Sequence, residues 1–138
     1  MRELEMFVDG ASSGNPGPSG IGVVICEKGA VIKNISSYIG DATNNVAEYS
    51  ALIHGLEAAL ALKADIVKVN TDSELMFRQI KKVYKVKHPQ IAVLYIRVLH
   101  LMSAFSRIEV NFINREYNRG ADKLAKKAAC SRAAGSLK

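Results

Sequence analysis

Cysteine is almost missing: Cys26 and Cys130 are the only two in 138 residues. That excludes a disulfide scaffold, and the wide spacing excludes a cysteine-based zinc site. No apolar run reaches the ~18 residues of a membrane-spanning helix. The opening stretch, Met1-Arg-Glu-Leu-Glu-Met-Phe7, lacks the apolar centre of a signal peptide, so a cytoplasmic domain with no membrane partner is expected. Low-complexity tracts, internal repeats and linkers are missing too. With 49% hydrophobic residues, disorder is excluded. The length admits one domain, expected over 1–132 with a frayed tail at 133–138, and excludes two.

Acidic residues are scarce in the second half. Residues 1–77 carry 5 basic and 10 acidic side chains, whereas residues 78–138 carry 14 and 3. The net charge of +6 is thus the sum of two opposed halves. Such asymmetry points to nucleic acid or another acidic surface, although a solvated lysine-rich face gives the same count.

Hydrophobic periodicity outlines the elements. Leu4, Met6 and Val8 alternate with polar residues as a strand buried on one face. Gly10 to Pro18 is dense in turn formers. Ile21–Cys26 and about 31–38 read as two further strands joined at Lys28-Gly29, making an antiparallel meander. From Asn44 the period becomes helical, with Ala47, Ala51, Leu52, Gly55, Leu56 and Ala59 on one face. A strand at Ile66–Thr71 follows, then a helix from Asp72 to about Val83, a helix over 89–105, a strand at Arg107–Ile113 and a last helix from Gly120 to about Cys130. The order β-β-β-α-β-α-α-β-α implies an α/β fold: a mixed five-stranded sheet, three strands antiparallel and two parallel, flanked by helices.

Four carboxylates fall where strands end or helices begin: Asp9, Glu48, Asp72 and Asp122. Three have ordinary structural readings. Asn45-Val-Ala-Glu48 has capping-box spacing, Asp72 is a good N-cap, and Asp122 suits the positive end of a helix dipole. Asp9 has none, because it ends an apolar strand with no helix beside it. If strands 1 and 4 are neighbours, Asp9 and Asp72 face each other, and a cation would be needed between them. Oxygen-only ligands suit a hard ion, Mg²⁺ or Mn²⁺, and two such ions about 3.5–4 Å apart are a common device for cutting phosphodiesters.

Four motifs then occur in order: Asp9-Gly-Ala-Ser-Ser-Gly-Asn15-Pro-Gly-Pro-Ser-Gly-Ile-Gly22, Thr43-Asn-Asn-Val-Ala-Glu48-Tyr-Ser-Ala-Leu52, Thr71-Asp72-Ser73 and Asn118-Arg-Gly-Ala-Asp122-Lys-Leu-Ala125. In order, spacing and topology the chain resembles type 1 ribonuclease H, from about Leu4 to Cys130. The resemblance implies cleavage of the RNA strand of an RNA/DNA hybrid with two divalent ions, leaving a 5′-phosphate. It implies that Asp9 bridges both ions, that Asp122 helps hold the ion activating water, and that Glu48 and Asp72 hold the ion at the leaving oxygen. Asn15, Asn44 and Asn45 match positions reading sugars and base edges across a minor groove, and Thr43 matches one holding a DNA-strand phosphate. Asn44-Asn45 is equally a helix-start signal. The Gly14–Gly17 loop is no nucleotide-binding P-loop, since the Gly-Lys-Ser/Thr ending is lacking.

Three departures from the family stand out. The loop Asn114–Arg119 has no histidine, and Arg115, which cannot shuttle a proton near neutrality, is the residue left for handling phosphate there. His54, His88 and His100 fall elsewhere and read as structural or surface residues. Glu74 stands where glutamine is frequent, which weakens a minor-groove contact at that position. The extra basic helix of some members is missing, and Lys82 and Lys85, with Lys81 and Lys87, crowd the short link where they could grip the DNA backbone. The helix over 89–105 is apolar most of the way round, which means deep burial in a monomer or a face for self-association. Two other functions stay open: a module that binds hybrid or double-stranded RNA with weak or no catalysis, and a nuclease that also cuts RNA/RNA duplexes.

Overall fold

The structure is a computed structural model that describes the backbone of residues 1–136 and the side chains of residues 1–131. Its elements are β1 (Glu3–Ser12), β2 (Gly17–Glu27), β3 (Ala30–Ala42), α1 (Asn44–Ala61), β4 (Ile66–Thr71), α2 (Glu74–Ile80), α3 (Pro89–Met102), β5 (Arg107–Phe112) and α4 (Arg119–Ser136), with a 3₁₀ turn at Arg115–Tyr117. One sheet holds all five strands in the order β3-β2-β1-β4-β5. The β1–β2 and β2–β3 pairs are antiparallel, and the β1–β4 and β4–β5 pairs are parallel. This is the mixed α/β sheet that the order of elements implied.

The alternation in β1 explains the layering. Leu4, Met6 and Val8 are fully buried on the face that α1 covers, and Gly55 of α1 meets Met6, Val8 and Val23. On β2 the alternate positions Gly20 and Gly22 face α4, whose backbone comes so near that a Cβ there would clash with Ala121 and Ala129. The core therefore lies mainly between the sheet and α1, closed by Met76, Ile91, Val98 and Leu101 from α2 and α3.

Several boundaries differ from the periodicity, each for a local reason. β2 and β3 extend further because their ladder continues through small residues as far as Gly17–Ala42. They join at Lys28 and Gly29, both at positive φ (52° and 81°), the pairing of a tight hairpin turn. α2 stops at Ile80, short of Val83, because Lys82 turns left-handed (φ 65°) and Val83 N–H donates back to Arg78 O at 2.8 Å. α3 ends at Met102, and the irregular turn after it still delivers Phe105 to the core. Leu101 is buried too, while Val93 and Ile96 stay 69% and 65% exposed, so the helix is apolar most of the way round without being buried all round. α4 runs beyond Cys130 through Ser136. Of the tail expected at 133–138, residues 137–138 lie outside the described residues. Among the described residues, no helix is long and apolar enough to cross a membrane.

Candidate active site

β1 and β4 run parallel with Val8 opposite Thr71, so the residues that follow, Asp9 and Asp72, emerge side by side. α1 crosses at Gly10, where a Cβ would overlap the Ala47 carbonyl carbon and the Glu48 nitrogen. That close approach brings the Gly10 N–H to Glu48, donating to Oε1 at 2.5 Å. Asp9, Glu48 and Asp72 each offer an oxygen, all within 4.8 Å of one another. Asp122 arrives from the first turn of α4 and lines the same cleft as Asp9 and Glu48. It stands outside that triad, with its Oδ2 3.1 Å from Lys126 Nζ.

The capping expectations for two of these carboxylates fail. Thr43 caps α1, its Oγ1 accepting from Val46 N–H at 3.2 Å, so Glu48 sits in the second turn and is committed to Gly10 and not to a capping box. Ser73 caps α2, accepting from Met76 N–H, and leaves Asp72 free to face Asp9. Asp122 does lie in the first turn of its helix.

Crowding marks the electrostatics. Burial, and then the negative charges of Glu48 and Asp72, push the Asp9 carboxyl up to about 10 from an ordinary 3.8. Burial raises Glu48 to about 7, against the opposing pull of the Gly10 N–H, with the Asp72 charge adding to the rise and Arg115 lowering it. A divalent cation would reverse that logic, since it favours every ionised carboxylate around it. The donor set is oxygen only, which fits a hard ion such as Mg²⁺ or Mn²⁺ and not a thiophilic one.

Asn118 is a functional residue for which the sequence reading found no role. It is buried in the turn before α4, and its Nδ2 donates to Val8 O at 2.9 Å and to Asp72 Oδ2 at 3.2 Å. It thus ties Asp72 to the end of β1. Its sequence signal is its place at the head of the Asn118-Arg-Gly-Ala-Asp122 motif in a polar loop, which marks the residue without giving its partners.

Two hollows meet over the carboxylates. One, of about 270 Å³, is lined by Asp9, Glu48, Asp122, Arg115, Lys126 and Asn44. The other, of about 400 Å³, is lined by Asn15, Thr43, Asn44, Asn45, Glu48 and Ser73. Asn44 and Glu48 belong to both, so the two hollows adjoin at Glu48 and reach Asp9 and Asp122 along one side. Asn15 is held against α1 by accepting from Asn44 N–H at 3.1 Å, and Asn45 Oδ1 is buried with no protein partner. Glu74 is paired with Arg78 at 2.8 Å, which offsets the charge that set it apart from glutamine. Lys82 and Lys85 are elsewhere: they line a separate hollow of about 470 Å³ with Tyr84, Tyr95 and Ile96, beyond α2. Of the histidines, His88 caps α3 and His54 bonds the Ser50 carbonyl within α1.

Sheet order, carboxylate set and groove define a ribonuclease H-like domain. A family model described as "Reverse transcriptase-like" matches residues 7–128. The chain is 43% identical over 122 residues to the bifunctional protein Rv2228c of Mycobacterium tuberculosis, covering 87% of this chain and 34% of that protein. It is 36% identical over 126 residues to ribonuclease HI of Halobacterium salinarum, covering 91% and 63%. It therefore spans about a third of the mycobacterial protein's length and under two thirds of the halobacterial one. The solved N-terminal RNase H domain of Rv2228c superposes with a TM-score of 0.88 at 41% identity, over 92% of this chain and 98% of that one. LC11-RNase H1 in complex with an RNA/DNA hybrid superposes with a TM-score of 0.87 at 40% identity, over 94% and 98%. The chain belongs to the type 1 ribonuclease H family, whose members are metal-dependent.

Proposed function

We propose that this domain hydrolyses the RNA strand of RNA/DNA hybrids with two divalent ions, Mg²⁺ or Mn²⁺, and leaves a 5′-phosphate. The observation that carries the reading is the convergence of Asp9, Glu48 and Asp72 within 4.8 Å, beside a polar groove that Glu48 lines. Three carboxylates so placed repel one another and any phosphate, an arrangement of no use to a protein that only binds nucleic acid. When bound, the ions supply an activated water and neutralise the charge growing on the phosphate. Asp9, central among the four, would hold both. Glu48 and Asp72 would hold the ion on the leaving-group side, and Asp122 the other. Gly10 N–H and Asn118 keep Glu48 and Asp72 aimed inward.

The groove supports a duplex substrate. Asn15, Asn44 and Asn45 line it, and the buried, unpartnered Asn45 Oδ1 suits a donor in a minor groove, such as a guanine amino group or a ribose 2′-OH. Thr43, beside them, would hold a phosphate of the DNA strand. Arg115, in the same cleft as the carboxylates, would hold a phosphate of the RNA strand. Lys82 and Lys85 would grip the DNA backbone further along. The hybrid bound by LC11-RNase H1 supports the choice of substrate. The test is strand choice: RNA labelled within a hybrid should be cut with Mg²⁺, and the same RNA paired with RNA should be cut far more slowly. Equal rates would replace hybrid selectivity with a general duplex ribonuclease.

A further inference from the structure

Among the described residues, Asp122 is the one carboxylate of the four with an ammonium of its own. Lys126 lies one helical turn further along α4 and on the same face, with its Nζ 3.1 Å from Asp122 Oδ2. Both side chains line the cleft that holds Asp9 and Glu48. Acid before base at this spacing is the favourable orientation for an ion pair on a helix. The two side chains are 23% and 65% exposed, so the pair sits at the rim of the cleft in contact with solvent. Asp9, Glu48 and Asp72 form their triad without Asp122. The carboxylate that Lys126 holds is the one that stands apart.

We propose that Lys126 is a tethered competitor for the divalent ion at Asp122: its ammonium holds the carboxylate until an ion displaces it, and so raises the ion concentration at which Asp122 joins the other three. The inference rests on the metal reading of the carboxylates given above. A rim-exposed ion pair is a weak opponent of a doubly charged ion held by several carboxylates, so the effect is a shift in affinity and not a block.

Mn²⁺ binding to the full chain without nucleic acid, followed by electron paramagnetic resonance of the free ion, tests this apart from catalysis. Lys126→Met should bind Mn²⁺ roughly three- to fivefold more tightly than the wild type. Lys126→Arg should stay near the wild type. Lys127→Met makes the same charge change one residue on, at a side chain that does not line the cleft, and should shift affinity by about twofold or less. Unchanged affinity in Lys126→Met, or equal tightening in Lys126→Met and Lys127→Met, would overturn the role of Lys126 and leave the metal site standing. A wild type that binds no Mn²⁺ would overturn the metal site and the proposal together.

Discussion

Asp9 stands where a carboxylate is hardest to keep charged: buried, at the end of an apolar strand, with two others facing it. Its raised pKa is a statement about stability. In the absence of metal the folded protein holds a proton that the unfolded chain has released, so stability falls as pH rises from the ordinary carboxylate range towards about 10. Glu48 adds a second loss that is complete near pH 7. Thermal unfolding in EDTA should therefore show a melting temperature that drops between pH 5 and pH 8. Asp9→Asn should flatten that drop and melt higher at pH 8, by roughly 3–5 °C for each kcal/mol of repulsion removed. A wild type whose melting temperature rises over this range would contradict the crowding described here. Asp9 was legible in sequence because no structural reading suited it. Asn118 was not, because its partners Val8 and Asp72 lie 110 and 46 residues away, and only the fold brings them together.

Among the elements, the crossing of β1 and α1 matters most, because it sets where Glu48 lies. Gly10→Ala places a methyl against the backbone of Ala47 and Glu48, which cannot yield as a side chain would, so α1 must lift from the sheet. Urea unfolding should show a loss of about 1–3 kcal/mol, and hybrid cleavage should fall well beyond what that loss explains. Gly29→Ala is the companion variant. It sits at φ 81° with nothing near its missing Cβ, so it should cost about 1 kcal/mol and leave cleavage unchanged. If the two variants lose activity equally, the close approach at Gly10 has no special bearing on the site. The order of elements was legible throughout, because period-2 and period-3.6 patterns alternate cleanly along the chain. Their ends were less so. The stop of α2 depends on Lys82 turning left-handed, a conformation that lysine does not advertise, and the cap of α1 fell to Thr43 where Asn45 and Glu48 carried the more familiar spacing.

Across the whole molecule, the charge asymmetry divides into two surfaces. Asp9, Glu48 and Asp72 come from the acidic half and converge, while Lys82 and Lys85 from the basic half line a separate hollow beyond α2. The holding proposed for these lysines and the cutting proposed for the carboxylates are therefore separable by mutation. Lys82→Ala with Lys85→Ala should weaken hybrid binding and lower the slope of log affinity against log salt by about one to two units, measured in Ca²⁺ to prevent cleavage. An unchanged slope would take the DNA strand away from this face. Asymmetry of composition raised the question of a polyanionic partner without settling it, and only the fold separates Lys82 and Lys85, proposed to grip the DNA strand, from the carboxylates.

This set of carboxylates is proposed to cut RNA paired to DNA through bound divalent ions. The direct measurement is cleavage of the labelled RNA strand of a hybrid by the wild type and by Asp9→Asn, each with Mg²⁺, with Mn²⁺ and with EDTA. The wild type should cut the RNA strand with either metal and not in EDTA, and Asp9→Asn should cut under no condition although it still binds the hybrid. Cleavage that survives EDTA or the Asp9→Asn substitution, or a wild type that binds the hybrid and never cuts it, would rule out metal-dependent cleavage by these carboxylates.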